Sequence, residues 1–122
     1  MTEEDFKKQA TKFVTEAWER IFGVSNTVIA NSKLYGFHGI QLIENPNIHQ
    51  LLSSMGVVSG MLDTIISHLS NPGVDLGPEN VRLLLNAKKQ VSQLEAVAAA
   101  LAADDEALYN EEVEKLQNQA AF

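Results

Sequence analysis

The sequence predicts an all-α protein, built as an antiparallel bundle of four to five helices. Three observations support this fold class. Apolar residues recur at steps of three and four along most of the 122 residues. Prolines and capping residues stand where such runs begin, and the one short alternating segment, residues 40–42, has no partner strand nearby. The length favours a single domain over residues 1–122.

The first helix is predicted over residues 3–22. Thr2 can cap it, and Glu3, Glu4 and Asp5 lie at the positive end of the helix dipole. The apolar face consists of Phe6, Ala10, Phe13, Val14, Ala17, Trp18, Ile21 and Phe22. Gly23 follows this face directly and is predicted to end the helix.

Residues 24–44 give a weaker pattern. Ser25 or Asn26 can cap a short helix that runs to about residue 34 or 35, where Gly36 and Gly39 interrupt it. The apolar residues that follow fit no single period. We therefore expect a short helix, a glycine bend and a further turn.

A central buried helix is predicted over about residues 46–70, because Asn45 can cap it and Pro46 can occupy its first turn. Its seam consists of Ile48, Leu51, Met55, Val58, Leu62, Ile65 and Leu69, and Leu52 and Ile66 widen it. Gly56 and Gly60 lie on a second face of small residues. Interior glycines weaken a helix, so we expect another backbone close to this face.

A long helix is predicted from about Pro78, with a seam of Leu84, Ala87, Val91, Leu94, Ala98 and Leu101. Continuing this register places Asp105 and Glu112 at core positions, which favours a turn near residues 104–106 over one helix spanning 78–119. The resulting acidic C-terminal helix, about 105–120, can project from the bundle.

Composition and charge exclude several classes of function. The net charge is −7, and residues 104–122 contribute one lysine against six acidic residues, so general nucleic-acid binding is not expected. The chain has no cysteine, which excludes disulfides and thiolate chemistry and is typical of a cytoplasmic protein. The acidic start predicts no signal peptide. Asp63 and two histidines within residues 48–69 argue against a membrane span.

No catalytic or cofactor motif is present in the sequence, so an enzyme is not expected and no cofactor is predicted. His38, His49 and His68 lack the three- or four-residue spacing that places two metal ligands on one helical face. Metal binding is therefore not predicted. The acidic tail has two interpretations, a mimic of nucleic acid and a solubilising terminal helix. The second is favoured.

Asp63 is the main candidate for a binding site, because it lies in an otherwise apolar helix. A buried carboxylate there can hold a cationic ligand or serve as an acid or base. The favoured alternative is a hydrogen bond to Ser59 or Ser67, or an ion pair across a helix contact. The full candidate ligand set is Asp63, His49, Tyr35, Arg82, Lys88 and Lys89.

The helix seams and the glycine face also suggest surfaces for other chains. The candidate interface residues are Gly56, Gly60, Ser53, Leu84, Val91 and Leu94. The leading hypothesis is a non-catalytic, homo-oligomeric interaction protein that binds another macromolecule as an adaptor, inhibitor or assembly factor, for example as a bacterial or phage accessory protein. The alternative is a small-ligand binder with a pocket between helices or subunits.

Overall fold

The computed structural model of the protein describes residues 2–120 and contains four helices within them. These are α1 (Glu3–Leu42), α2 (Ile48–His68), α3 (Pro78–Ala102) and α4 (Glu106–Ala120). No strand occurs in this part of the chain, and the helices share one apolar core. The predicted all-α bundle is confirmed.

Helix α1 begins as predicted but continues far beyond its predicted end. The Thr2 hydroxyl accepts a hydrogen bond from the Asp5 backbone N–H at 3.2 Å, and the Asp5 carboxylate accepts one from the Thr2 backbone N–H. The prediction that Gly23 ends the helix is wrong. Val24 and Val28 continue the buried stripe past Gly23, and burial of this stripe outweighs the roughly 1 kcal/mol that an interior glycine costs.

The predicted interruption at Gly36 is found inside α1. Gly36 has φ 72° and ψ −179°, a conformation that is open essentially only to glycine. Gly39 is helical and does not interrupt the chain. Beyond the break, Phe37 and Ile40 are buried, and the Phe37 ring lies 5.3 Å from the Tyr109 ring. The break therefore turns the end of α1 onto α4.

Helix α2 begins two residues later than predicted. Asn47, not Asn45, is the cap, and its side chain accepts a hydrogen bond from the Gln50 backbone N–H at 3.1 Å. Asn45 and Pro46 belong to the connection before the helix. The predicted seam is found: Ile48, Met55, Val58, Leu62 and Ile65 are buried, and Leu51, Leu69 and Ile66 are partly buried against the core.

Helix α2 is not the central helix of the bundle, although the sequence predicts that it is. Helices α1 and α3 each contact all three other helices, whereas α2 contacts those two and, within residues 2–120, does not reach α4. Small residues such as Ala87 and Ala100 on α3 are fully buried, and they let neighbouring helices approach on several sides. The low charge of α2 therefore does not mean that it is covered on two faces.

The predicted turn before the last helix is confirmed. Helix α3 ends at Ala102, Asp104 adopts φ 54°, and the Asp105 side chain accepts a hydrogen bond from the Leu108 backbone N–H at 3.0 Å. Helix α4 does not project, since Tyr109 and Leu116 are buried. Among the described residues, no helix combines the length and apolar character that crossing a bilayer requires.

Candidate functional site

Asp63 lies in a small polar cluster between α2 and α3. Ser59 and Asp63 are four residues apart on α2 and so share one face. Lys88 on α3 donates from Nζ to Asp63 Oδ2 at 3.1 Å and to Ser59 Oγ at 2.5 Å. The Asp63 side chain is 59% exposed, so the expectation of a buried carboxylate is wrong. The alternative, an ion pair across a helix contact, is what the structure contains.

This cluster joins α2 to α3 through the Lys88 side chain. The Lys88 ammonium donates to both partners and has no lone pair with which to accept the Ser59 proton, so it does not activate that hydroxyl. An ion pair this exposed contributes at most about 1 kcal/mol to stability. Its direct effect on the surface is to neutralise the one acidic residue of α2.

The other candidate ligand residues do not converge on Asp63. His49 precedes Asp63 by fourteen residues on α2, which separates them by about 21 Å along the axis. Arg82 and Lys89 are exposed on α3, and Tyr35 is exposed on α1 beside Gly36. Of the six candidate ligand residues, Asp63 and Lys88 are the pair that the structure brings into contact.

Half of the candidate interface residues belong to the core of the chain itself. Leu84, Val91 and Leu94 are 0% exposed, because they lie on the side of α3 that faces the other helices. These three residues therefore belong to the bundle core and were wrongly predicted as interface residues. Ser53, Gly56 and Gly60, in contrast, are all exposed on α2.

The glycine face of α2 is open. A Cβ atom built on Gly56 or Gly60 would meet nothing within 4 Å. The expectation that another helix of the same chain lies close to this face is therefore wrong. Two interior glycines cost a helix about 1 kcal/mol each relative to alanine, and no contact within the described chain makes use of the missing Cβ atoms.

Large apolar side chains accompany the glycines on the solvent side of α2. Val57 is 68% exposed and Met61 is 48% exposed. We define the outer face of α2 as Ser53, Gly56, Val57, Gly60, Met61 and Thr64. None of these six residues is charged, and Asp63, which is exposed beside Gly56 and Gly60, is paired with Lys88. Exposed helix surfaces are ordinarily polar or charged, so this face is unusual.

An apolar groove between α1 and α2 adjoins the outer face. Its volume is about 400 Å³, and it is lined by Phe6, Gln9, Ala10, Phe13, Met61, Thr64 and Ile65. Met61 and Thr64 belong to both surfaces. The sequence places Phe6 and Phe13 in the core, but both are only half-buried because they border the groove. Periodicity shows that a face is apolar but not how completely it is covered.

A second cavity of about 360 Å³ lies where the first turn of α1 meets the loop before α3. Glu3, Glu4 and Asp75 are among its lining residues. Glycine is favoured at position 73 because its φ of 85° is strained for other residues. A Cβ there would also lie 2.7 Å from Glu3 Oε1, the end of a flexible side chain that can move aside. Within residues 2–120, no three histidine, aspartate or glutamate side chains lie close enough together to hold a metal ion.

Buried polar contacts hold α1, α3 and α4 together, and the sequence analysis missed them. Gln90 is buried and donates to Ser25 Oγ at 3.0 Å. The Tyr109 hydroxyl hydrogen-bonds Ser32. Burial raises the pKa of Tyr109, and the smaller effect of the Ser32 hydrogen bond acts in the opposite direction. These contacts join residues 65 and 77 positions apart, which local patterns do not reveal.

On the α3–α4 contact, Gln93 donates to the backbone carbonyl and the carboxylate of Glu112. This hydrogen bond, assisted by Lys115, holds the pKa of Glu112 below its ordinary value. Glu112 therefore lies on the side of α4 that faces the core, and its charge is satisfied by these contacts.

No protein-family model, curated protein or solved structure matches this chain.

Proposed function

We propose that this chain is a non-catalytic helical interaction protein that binds another macromolecule through the outer face of α2 and the adjoining groove. It assembles as a homo-oligomer and acts as an adaptor, inhibitor or assembly factor, as bacterial and phage accessory proteins do. The observation that carries the proposal is the exposure of Val57 and Met61 on an uncharged helix face.

The charge distribution supports this use of the surface. The chain has a net charge of −7, yet α2 contains one charged side chain among Asp, Glu, Lys and Arg, and Lys88 pairs with it. Contiguous exposed apolar surface on a small domain is typical of a binding site. An interface core of this kind is depleted in charge, with polar residues at its rim.

The cellular setting is part of the same proposal. A cysteine-free, acidic chain is suited to the cytoplasm and is poorly suited to general binding of DNA or RNA. The polar cluster at Asp63 provides no activated nucleophile, and no cofactor is needed for binding through an apolar face. A protein partner, including a second copy, therefore fits better than a nucleic acid or a membrane.

Native mass spectrometry of the gently purified protein tests this function. We expect a mass at an integer multiple of the 13.4 kDa chain, or a complex with another protein. The matched variant Met61→Glu places a charge on the outer face at an exposed position, and we expect it to lose the assembly while keeping its helical circular dichroism. A bare monomer that binds no other protein would contradict the proposal.

The small-ligand alternative is favoured by a different observation, the groove between α1 and α2. Its walls include Phe6, Phe13, Met61 and Ile65, so it would take an apolar ligand rather than the cationic ligand suggested by Asp63 in the sequence. An added mass of a few hundred daltons that is lost in the Phe13→Ala variant would support it.

A further inference from the structure

We propose that the apolar groove between α1 and α2 and the acidic cavity beside it form one binding site for a basic amphipathic helix of another protein. This inference rests on the proposed function and specifies the partner. The apolar face of that helix fills the groove, and its basic end lies at the acidic cavity. The continuity of the two cavities, their charge and their shape carry the inference.

The two cavities meet at Phe6, which lines both of them. Glu3, Phe6, Ala10 and Phe13 follow one another on α1 at steps of three and four, so they lie along one face of the helix. The distance from Glu3 to Phe13 along the helix axis is about 15 Å. The groove and the cavity therefore form one continuous site with an acidic end.

The charge of the acidic end identifies the charge of the partner. Glu3, Glu4 and Asp75 line the cavity, and Lys7 is the basic residue among its lining residues. None of the three carboxylates forms an ion pair within residues 2–120. An ammonium or guanidinium group of a partner can therefore pair with them.

The charge of the whole chain acts in the same direction. Its net charge of −7 attracts a basic partner at long range and repels a second copy of the chain. The groove itself is lined by uncharged residues. A partner that fits the complete site therefore combines an apolar face with a basic end.

The shape of the groove favours a helix over a small ligand. Gln9, Met61 and Thr64 are exposed. Phe6 and Phe13 are half-buried, so the groove is open to solvent along its length. Small ligands are ordinarily enclosed over most of their surface, whereas an amphipathic helix lies in an open groove with its polar side in water. Phe6 and Phe13 are about 10 Å apart along α1, which matches two apolar residues seven positions apart on a partner helix.

A synthetic helix serves as the probe. It is an alanine-rich peptide of about eighteen residues, long enough to form a helix, with leucines along one face and lysines at one end. A second peptide has glutamate in place of every lysine. We expect isothermal titration calorimetry to show binding of the lysine peptide, weakening as salt is added, and no binding of the glutamate peptide.

The acidic end is tested by the triple variant Glu3→Gln, Glu4→Gln and Asp75→Asn. We expect it to raise the dissociation constant of the lysine peptide at least about fivefold, because three ion pairs are lost. The control neutralises three exposed carboxylates that line neither cavity, with Glu19→Gln, Glu95→Gln and Glu114→Gln. Both variants have the same net charge, so the control should change the dissociation constant less than about twofold.

The groove is tested with Met61→Glu, because Met61 lines it and is 48% exposed. We expect the dissociation constant of the lysine peptide to rise at least about fivefold, although the chain becomes more acidic. Val57→Glu is the matched control, because Val57 is 68% exposed one turn away on α2 and does not line the groove. It adds the same charge and should not weaken binding. Circular dichroism should show the native helical signal for both variants.

The remaining outcomes separate this inference from the proposed function. Failure of the lysine peptide to bind, or equal weakening by the acidic-end variant and its control, would overturn the inference. Equal weakening by Val57→Glu and Met61→Glu would place the partner on the outer face of α2, rejecting this site but keeping an interaction protein. Binding of N-phenylnaphthylamine, an uncharged apolar dye, without binding of the peptide would reject the helical partner in favour of the small-ligand alternative. A chain that forms neither an oligomer nor a protein complex in native mass spectrometry would reject the proposed function itself.

Discussion

At the scale of single residues, the glycines of this chain fall into two kinds. Gly36 has a backbone conformation that other residues rarely adopt, so the fold itself requires glycine there. Gly56 and Gly60 have ordinary helical geometry and open space around the missing Cβ. The isolated chain therefore does not require glycine at these two positions. The effect of substitution on stability distinguishes the two kinds of glycine.

We predict that Gly56→Ala and Gly60→Ala each stabilise the monomer by up to about 1 kcal/mol, because alanine restricts the unfolded chain and favours helix. Gly36→Ala should destabilise it by about 1–3 kcal/mol, because of the positive φ. Urea denaturation at a concentration where the chain is monomeric measures both effects. Destabilisation by the α2 substitutions would show that the monomer does use these glycines.

At the scale of the elements, α4 is held by a few specific contacts. Tyr109 and Leu116 are buried against the core, and the Tyr109 hydroxyl bonds Ser32 on α1. The acidic character of this helix lies on its outer side, apart from Glu112, which Gln93 satisfies. An acidic helix can therefore pack on the bundle despite its low content of apolar residues.

We predict that docking of α4 weakens above about pH 10, the ordinary pKa of tyrosine. The pKa of Tyr109 is raised in the folded state, so the unfolded chain loses this proton first and stability falls as pH rises. Tyr109→Phe should cost about 0.5–1.5 kcal/mol at pH 7 through the lost hydrogen bond. Between pH 9 and pH 11, the melting temperature of this variant should fall less than that of the native chain.

Tyr35→Phe is the control for this titration, because Tyr35 is 52% exposed on α1. It should keep the pH dependence of the native chain. If both variants follow the native profile, Tyr109 is not the group responsible for the alkaline loss of stability.

At the scale of the whole molecule, the acidic end of the chain and the outer face of α2 lie on different helices. Acidic residues concentrate between Asp104 and Glu114, while the outer face of α2 has none. If two copies associate through this face, the long-range repulsion between the two negatively charged chains opposes their association. Salt shortens the range of that repulsion to roughly 3 Å at 1 M.

We therefore predict that self-association strengthens with salt, at least about twofold between low and high ionic strength. Analytical ultracentrifugation of the native chain in increasing sodium chloride measures this dependence. Association that weakens with salt would indicate an interface held by opposite charges, which the outer face of α2 does not offer.

Local signals in the sequence determined much of this architecture. The Thr2 cap, the start of α3 at Pro78, the break at Gly36 and the turn before α4 were all predicted correctly. Each depends on residues within a few positions of one another, through side-chain caps, fixed proline geometry or glycine conformation. The seams of α2 and α3 were also predicted, because helical periodicity repeats within a single segment.

Tertiary structure alone decided which helix is central, whether α1 crosses Gly23 and which surfaces stay exposed. Helix α1 crosses Gly23 because distant residues bury Val24 and Val28, and that burial is not encoded locally. Helical periodicity likewise places Leu84 on an apolar seam and the glycines of α2 on a line of small residues, but it does not say what covers either surface. The candidate site was therefore only half predictable: its glycines come from the sequence, and their exposure comes from the fold.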